Sequence, residues 1–368
     1  MTLCKTALRR LAWLIPIVLL LLFVGACGSS DPQSTFGPAG PVADRQLSLF
    51  KLIFWIAVAV FVLVEGFLLY SLIRFRRRPN QSGLPPQIHG STRLEIVWTL
   101  IPVLILAIIA VPTYITIADQ SKPPEGPAID VEVIGHQWWW EFRYPDLGIT
   151  TANEMHVPVD TAVNITLLSG DVVHSFWAPK LAGKLDVFPG NANEMWFIAE
   201  EQGTFFGLCA ELCGVGHALM RFRVVADSQG EFDQWVQGQR QPPPQPEGLA
   251  AQGALVFAVK GCVLCHTTSG PDAPGLQAGR VSAFEQGQDV FPGPNLTYFG
   301  ARKTFAGGII DLNEANVRRW IRDPEDVKPG NRMAQLAAAY NDPALRLTDD
   351  DIEALVAYLL SRKPDIPS

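Results

Sequence analysis

Two long apolar stretches, about Leu49 to Ile73 and about Ile96 to Ile117, constrain this chain more than any other feature. Each approximates the ~20 consecutive residues that an α-helix needs to cross the hydrocarbon core of a bilayer. Between them lie Arg74, Arg76, Arg77, Arg78 and Arg93, with no acid until Glu95. Basic residues stay on the cytoplasmic side, so this connection is inside and both flanking regions are outside. Glu65 falls within the first stretch, where a carboxylate is costly in lipid and is expected to face a partner helix.

The N-terminus agrees with that topology. Arg9 and Arg10 precede an apolar run from Leu11 to Val24, followed by Gly25, Ala26 and Cys27. The run is short for a span and has the layout of a secretory signal. It resembles a bacterial lipoprotein signal, in which cleavage leaves Cys27 as a lipid-bearing N-terminus; an uncleaved anchor is the alternative. Residues 1–26 are therefore assigned to the signal, 27–46 to a flexible spacer and 47–120 to a transmembrane hairpin.

From Ile129 the pattern changes to short β-rich runs: Ile129 to Ile134, Ala162 to Leu168, Met195 to Ala199 and Arg221 to Val225. Val163, Ile165 and Leu167 alternate with Asn164 and Thr166, the period of a half-buried strand, so residues 121–240 are expected to form a β-sandwich or barrel. Ser228 and Glu231 stand at capping-box spacing for a short closing helix. The run Gln-Pro-Pro-Pro-Gln-Pro-Glu at 241–247 is a stiff linker. Beyond it, residues 248–368 turn helical, with helices expected at Leu249 to Lys260, Asn313 to Arg322 and Thr348 to Arg362. The net charge of -7 is uneven: residues 122–240 hold sixteen acids against seven bases, and 248–368 hold fourteen against twelve. An acidic middle region argues against nucleic acid and suits a basic protein partner, although a merely solubilising surface has the same charge.

Cys262-Val-Leu-Cys265-His266 is the most specific motif. Two thiols three residues apart can each add to a haem vinyl group, and the adjacent histidine then falls beneath the iron. A redox dithiol is the alternative, but such motifs rarely carry the following histidine. Of the five methionines, Met333 alone follows this motif, and no second histidine does. An internal distal ligand of the usual types is therefore Met333, whose thioether raises the iron potential.

Cys209-Ala-Glu-Leu-Cys213-Gly-Val-Gly-His217-Ala-Leu-Met220 places two thiolates, an imidazole and a thioether within twelve residues. Gly214 and Gly216 favour a wrapped loop over a helix. Soft sulfur with imidazole suits copper. A mononuclear blue-copper site needs one cysteine, so two allow bridging of two ions. The second imidazole then required is His174, on a preceding strand-like segment. A zinc site would leave Met220 unexplained, and a Cys209–Cys213 disulfide would leave both histidines idle. His89, His136 and His156 are expected to be structural or surface groups.

These residues, from about Leu47 onward, resemble subunit II of bacterial cytochrome c oxidases of the type with a fused cytochrome c domain. The resemblance implies a cupredoxin-like all-β Greek-key barrel followed by an all-α class I cytochrome c domain. It implies a binuclear CuA centre held by His174, Cys209, Cys213, His217, Met220 and the backbone carbonyl of Glu211. The Glu211 side chain would reach a magnesium ion shared with subunit I. Within His136-Gln-Trp138-Trp139-Trp140, Trp138 would be the point of electron input, beside the plainer reading of a tryptophan-rich strand. Glu95 would match a carboxylate near the mouth of a proton channel, or equally an interfacial helix-end acid.

The expected function is electron input to a haem-copper oxidase. A cytochrome c or another periplasmic donor would supply electrons that pass by the haem c and the copper pair to subunit I, where oxygen is reduced and protons are pumped. Partners are then subunit I, other oxidase subunits and membrane lipid. An electron-input subunit of a copper-containing nitric oxide reductase would share these features and is the alternative. A quinol oxidase subunit would lack the copper ligands, and a free copper carrier needs neither spans nor haem. A protease supplied outside intact cells is expected to leave the loop from Arg74 to Arg93 uncut; cleavage there would invert the topology.

Overall fold

The computed structural model describes residues 31–77, 83, 87, 90–270 and 293–364. The signal-like segment, Cys27, Arg78 and His89 lie outside them. The chain divides into two units, Asp44–Lys122 and the remainder. In the first, helix α1 (Pro41–Arg74) and helix α2 (Thr92–Gln120) are 34 and 29 residues long. At about 1.5 Å per residue, both exceed a hydrocarbon core of about 30 Å. Gln46 Nε2 donates to Gln120 Oε1 at 3.0 Å and Arg45 pairs with Asp119 at 4.0 Å, which joins the start of α1 to the end of α2. The pair is therefore an antiparallel hairpin. Its apolar side chains, with Glu65 among them, are largely exposed, a surface suited to lipid and partner helices. Pro102 and Pro112 lie inside α2, where Thr113 Oγ1 and Thr116 Oγ1 donate to the carbonyls of Ile109 and Pro112 at 2.8 Å.

The spacer expected through residue 46 ends earlier than its composition suggested. Residues 41–46 already belong to α1, and Ala39 and Val42 are buried in the β-domain core. Ala39 N donates to Lys180 O at 2.8 Å, and Glu200 N donates to Ala39 O at 3.0 Å. Gly, Ser and Pro content marked flexibility, but two small apolar side chains and one ordered peptide suffice to dock the segment.

Ten strands form the β-domain: β1 (Ala128–His136), β2 (Trp139–Tyr144), β3 (Ile149–Ala152), β4 (Glu154–Pro158), β5 (Ala162–Ser169), β6 (His174–Trp177), β7 (Leu185–Val187), β8 (Asn193–Ile198), β9 (Gly203–Cys209) and β10 (Arg221–Asp227). One five-stranded sheet runs β3-β2-β1-β5-β8 and the other β4-β10-β9-β6-β7. β1 with β5 and β4 with β10 are parallel, so the chain crosses between sheets as a cupredoxin-like fold does. The alternation at Val163, Ile165 and Leu167 puts those side chains, each at most 1% exposed, on the inner face. Phe222 lies at the core centre, stacked on Phe176 at 4.4 Å and within 5.9 Å of Trp140 and Phe142. Helix α3 (Gln229–Arg240) closes the domain behind the expected Ser228/Glu231 capping box.

The C-terminal region is built on α4 (Gly248–Val259), α5 (Glu314–Arg322) and α6 (Asp349–Ser361), α6 carrying the Thr348/Asp351 box. Phe257, Val317, Ile321, Ile352, Leu355 and Leu359 share its core. It is helical but not wholly so: β11 (Thr304–Phe305) and β12 (Ile310–Asp311) form a small hairpin. The linker is fastened to this region, since Arg362 Nη1 donates to Pro244 O at 2.8 Å and Tyr298 Oη donates to Gln241 O. Replacing Phe222 by alanine is expected to destabilise the β-domain by about 3–5 kcal/mol, measured by denaturant unfolding followed through tryptophan fluorescence.

Candidate functional site

The register of the second sheet assembles the first cluster. β9 and β10 pair up to Leu208 and Arg221, and Cys209 N donates to Met220 O at 2.9 Å, which closes the intervening loop. β6 lies on the other side of β9, pairing Phe176 with Cys209, so His174 begins a strand beside the loop. The loop is wound, as its glycines suggested, with a single 3-10 turn at His217–Leu219. A Cβ on Gly216 would lie 2.5 Å from the Trp138 ring, so only glycine admits the indole there.

Cys209 Sγ and Cys213 Sγ stand 3.8 Å apart, and both cysteines are free. His174 Nδ1 lies 3.9 Å from Cys209 Sγ, and His217 Nδ1 lies 3.8 Å from Cys213 Sγ. Glu211 O is 3.3 Å from Cys209 Sγ, and Met220 Sδ is 3.8 Å from Cys213 Sγ. All six predicted donors are therefore brought together. Each thiol shapes the other: Cys209 is held low by its hydrogen bond with Cys213, with His174 adding to this, and Cys213 is pushed up by the same bond and by burial. Burial opposes the His174 cation, yet Asp171, whose Oδ1 is 2.7 Å from Nε2, raises its pKa overall. The Asp171 carboxyl is depressed in return, its burial outweighed by the His174 hydrogen bond. That partner orients the ring so that Nδ1 faces the sulfur.

A second cluster lines one cleft. Cys262, Cys265, His266 and Met333 all line it, among Phe257, Leu296, Phe299, Trp320 and Leu355. His266 Nδ1 lies 2.8 Å from Pro294 O. A carbonyl only accepts, so Nδ1 carries the proton in this contact. Burial pushes the Cys262 thiol up to about 11.

Family models described as cytochrome c oxidase subunit II, transmembrane domain, and cytochrome c oxidase subunit II, periplasmic domain, match residues 33–115 and 147–227, and one described as cytochrome c matches 250–363. Cytochrome c oxidase subunit 2 of Alkalihalophilus pseudofirmus is 38% identical, covering 99% of this chain and 99% of its own length. This chain belongs to the cytochrome c oxidase subunit II family. The corresponding subunits of Bacillus sp. strain PS3 and Bacillus subtilis are 39% and 38% identical, covering 94% and 97% of this chain and 95% and 98% of theirs. A member of this family is a subunit of a haem-copper oxidase, an oxidoreductase, with an electron-input role. It is a membrane protein whose C-terminal domains lie on the outer side.

The subunit II domain implies copper and the cytochrome c domain implies haem. The donors fit both. A divalent first-row ion takes imidazole nitrogen at about 2.0 Å and thiolate at about 2.3 Å, so it spans a sulfur and a nitrogen no more than about 4.3 Å apart. Both sulfur–nitrogen pairs meet that limit. The cleft, in turn, offers two thiols, an oriented imidazole and a thioether within apolar walls.

Trp138 donates from Nε1 to Cys213 O at 3.0 Å and also lines the cleft. His136 and His156 pair instead with Glu141 at 3.1 Å and Asp227 at 2.7 Å. Glu95 lies exposed in the first turn of α2. Sequence reasoning missed Asp171, Gln137 and Pro294. The acid three residues before His174 was a usable signal; the carbonyl of Pro294, 28 residues from its histidine, left none. Replacing Asp171 with alanine is expected to weaken copper binding by about 10- to 100-fold, measured by titration against a competing chelator.

Proposed function

We propose that this chain accepts electrons on the outer side of the cell membrane from a cytochrome c or another periplasmic donor. It delivers them to subunit I, which reduces oxygen to water with proton pumping. Its two domains outside the membrane serve that transfer and the hairpin assembles, in lipid, with subunit I and other oxidase subunits.

His174, Cys209, Cys213, His217, Met220 and the Glu211 carbonyl hold two copper ions in a CuA-type centre. Six donors are two more than a tetrahedral zinc ion takes, and two sulfurs 3.8 Å apart could both serve a pair of ions. The weak donors, a thioether and a carbonyl, are of the kind that would tune a copper potential. Cys262 and Cys265 would carry the thioether bonds of one haem c, and His266 and Met333 would ligate its iron. Bound there, the haem and the copper pair supply one-electron carriers in series.

The chain's own residues do the positioning. Pro294 O fixes the proton on His266 Nδ1 and Asp171 fixes the His174 ring. The observation that carries the reading is Trp138: one indole is bonded to the Cys213 peptide and faces the cleft shared by His266 and Met333. It is the input residue of the copper centre. The Glu211 side chain reaches a magnesium ion shared with subunit I, and Glu95 stands at the mouth of a proton channel.

Optical and electron-paramagnetic spectra of the purified complex are expected to show a c-type haem together with a mixed-valence copper pair. Zinc in place of copper, or no bound porphyrin, would refute the proposal. Met333→Ala is expected to lower the haem potential sharply; an unchanged potential removes Met333 from the iron.

A further inference from the structure

The small hairpin β11–β12 joins the haem-binding region to the β-domain. Its turn, Ala306-Gly307-Gly308, reaches the end of the copper loop: Arg221 N, one residue past Met220, donates to Gly307 O at 2.8 Å. Gly307 has φ +84°, and a Cβ there would lie 2.8 Å from Leu219 O and 3.1 Å from Trp138 O. Only glycine lets the tip approach so closely.

Two buried ionisable side chains flank that tip. Glu154, at the start of β4 and 3% exposed, accepts from Lys303 N at 3.0 Å, Thr304 N at 2.6 Å and Thr304 Oγ1 at 2.8 Å. Lys328, 4% exposed, donates to Trp138 O at 2.5 Å and to Ala306 O at 3.1 Å. Beside it, Arg332 donates to Gln137 Oε1 at 2.6 Å, with its guanidinium 5.6 Å above the Trp138 ring. An unsatisfied buried charge is strongly unfavourable. The hydrogen bonds to the Glu154 carboxylate all come from across the seam, from the other domain. Half of those made by the Lys328 ammonium do the same. A surface meant for transient docking of a separate protein would not bury such groups in the docked state alone.

We propose that Glu154 and Lys328 are positioning residues that latch the haem domain onto the copper domain in one orientation, with Trp138 enclosed. The partner occupying this face is then the chain's own haem domain, and a soluble donor protein delivers to the haem domain without touching Trp138. Trp138 is 5% exposed, which accords with that enclosure. The mechanistic consequence rests on the reading of the cleft as the haem site; the latch itself does not.

The test is hydrogen exchange on the full oxidase complex carrying Glu154→Ala or Lys328→Met. Amides at 303–311 and 137–139 are expected to exchange about tenfold faster or more in each variant, with the rest of β1–β10 as protected as before. In the same variants, flash-initiated electron transfer from haem to copper is expected to slow by about tenfold or more at unchanged potentials. Unaltered exchange at those amides in both variants would overturn the latch. Loss of protection throughout the β-domain would overturn it too, because the residues would then support the fold rather than the docking. The exchange readout needs no haem, so a preparation without a c-type spectrum would sink the cleft assignment and leave the latch standing on its own result.

Discussion

A buried peptide carbonyl has two lone pairs and can accept twice. At Cys213 they accept from Trp138 Nε1 at 3.0 Å and Gln137 Nε2 at 2.7 Å. That one oxygen ties the loop bearing two sulfurs to the turn between β1 and β2. The same turn is held on its other side, where Gln137 N donates to Asp171 Oδ2 at 2.6 Å while Asp171 Oδ1 holds His174. Moving the turn would therefore displace the partner of one imidazole and the peptide of one cysteine together. Donor geometry in this centre is a property of the whole sheet edge.

This arrangement suits electron transfer because little has to move. Cys209, His174 and Met220 sit at strand ends or are pinned to one, and the sheets behind them are filled by interlocking aromatic rings. Such a scaffold holds ligands near one geometry through changes in charge, which keeps reorganisation small. The cleft lined by Cys262, Cys265, His266 and Met333 shows the same economy, with the imidazole oriented by a neutral backbone carbonyl rather than a titratable side chain.

Much of this was legible in the sequence wherever function depends on short spacing. The two clusters at 209–220 and 262–266 are each contained within a dozen residues, so their donor types could be read directly. Met333 was reached by elimination, as no other methionine follows the Cys262–His266 motif, and His174 was expected from its place on a preceding strand-like segment. Strand periodicity and capping boxes placed most elements within a few residues. What escaped was carried by long-range pairing. Glu154 and Thr304 are 150 positions apart and Lys328 and Trp138 are 190 apart, and neither acid nor lysine has a local pattern that marks it as buried. The hairpin β11–β12 escaped because its strands have two residues each, too few for any period. Ala39 and Val42 were misread for a related reason: composition reports what a segment could do alone, not the surface that receives it.

The proline run at 241–247 takes on a different character in this light. A leash works through its contour length, but here the strand of prolines is gripped by Arg362 and Tyr298 along its course. Ring closure already limits its backbone in the unfolded chain, so laying it down costs less entropy than a Gly/Ser segment would. It acts as a splint. A stiff, short segment departs from the gentle length dependence of a flexible loop, so its length as well as its composition bears on where the regions on either side of it meet.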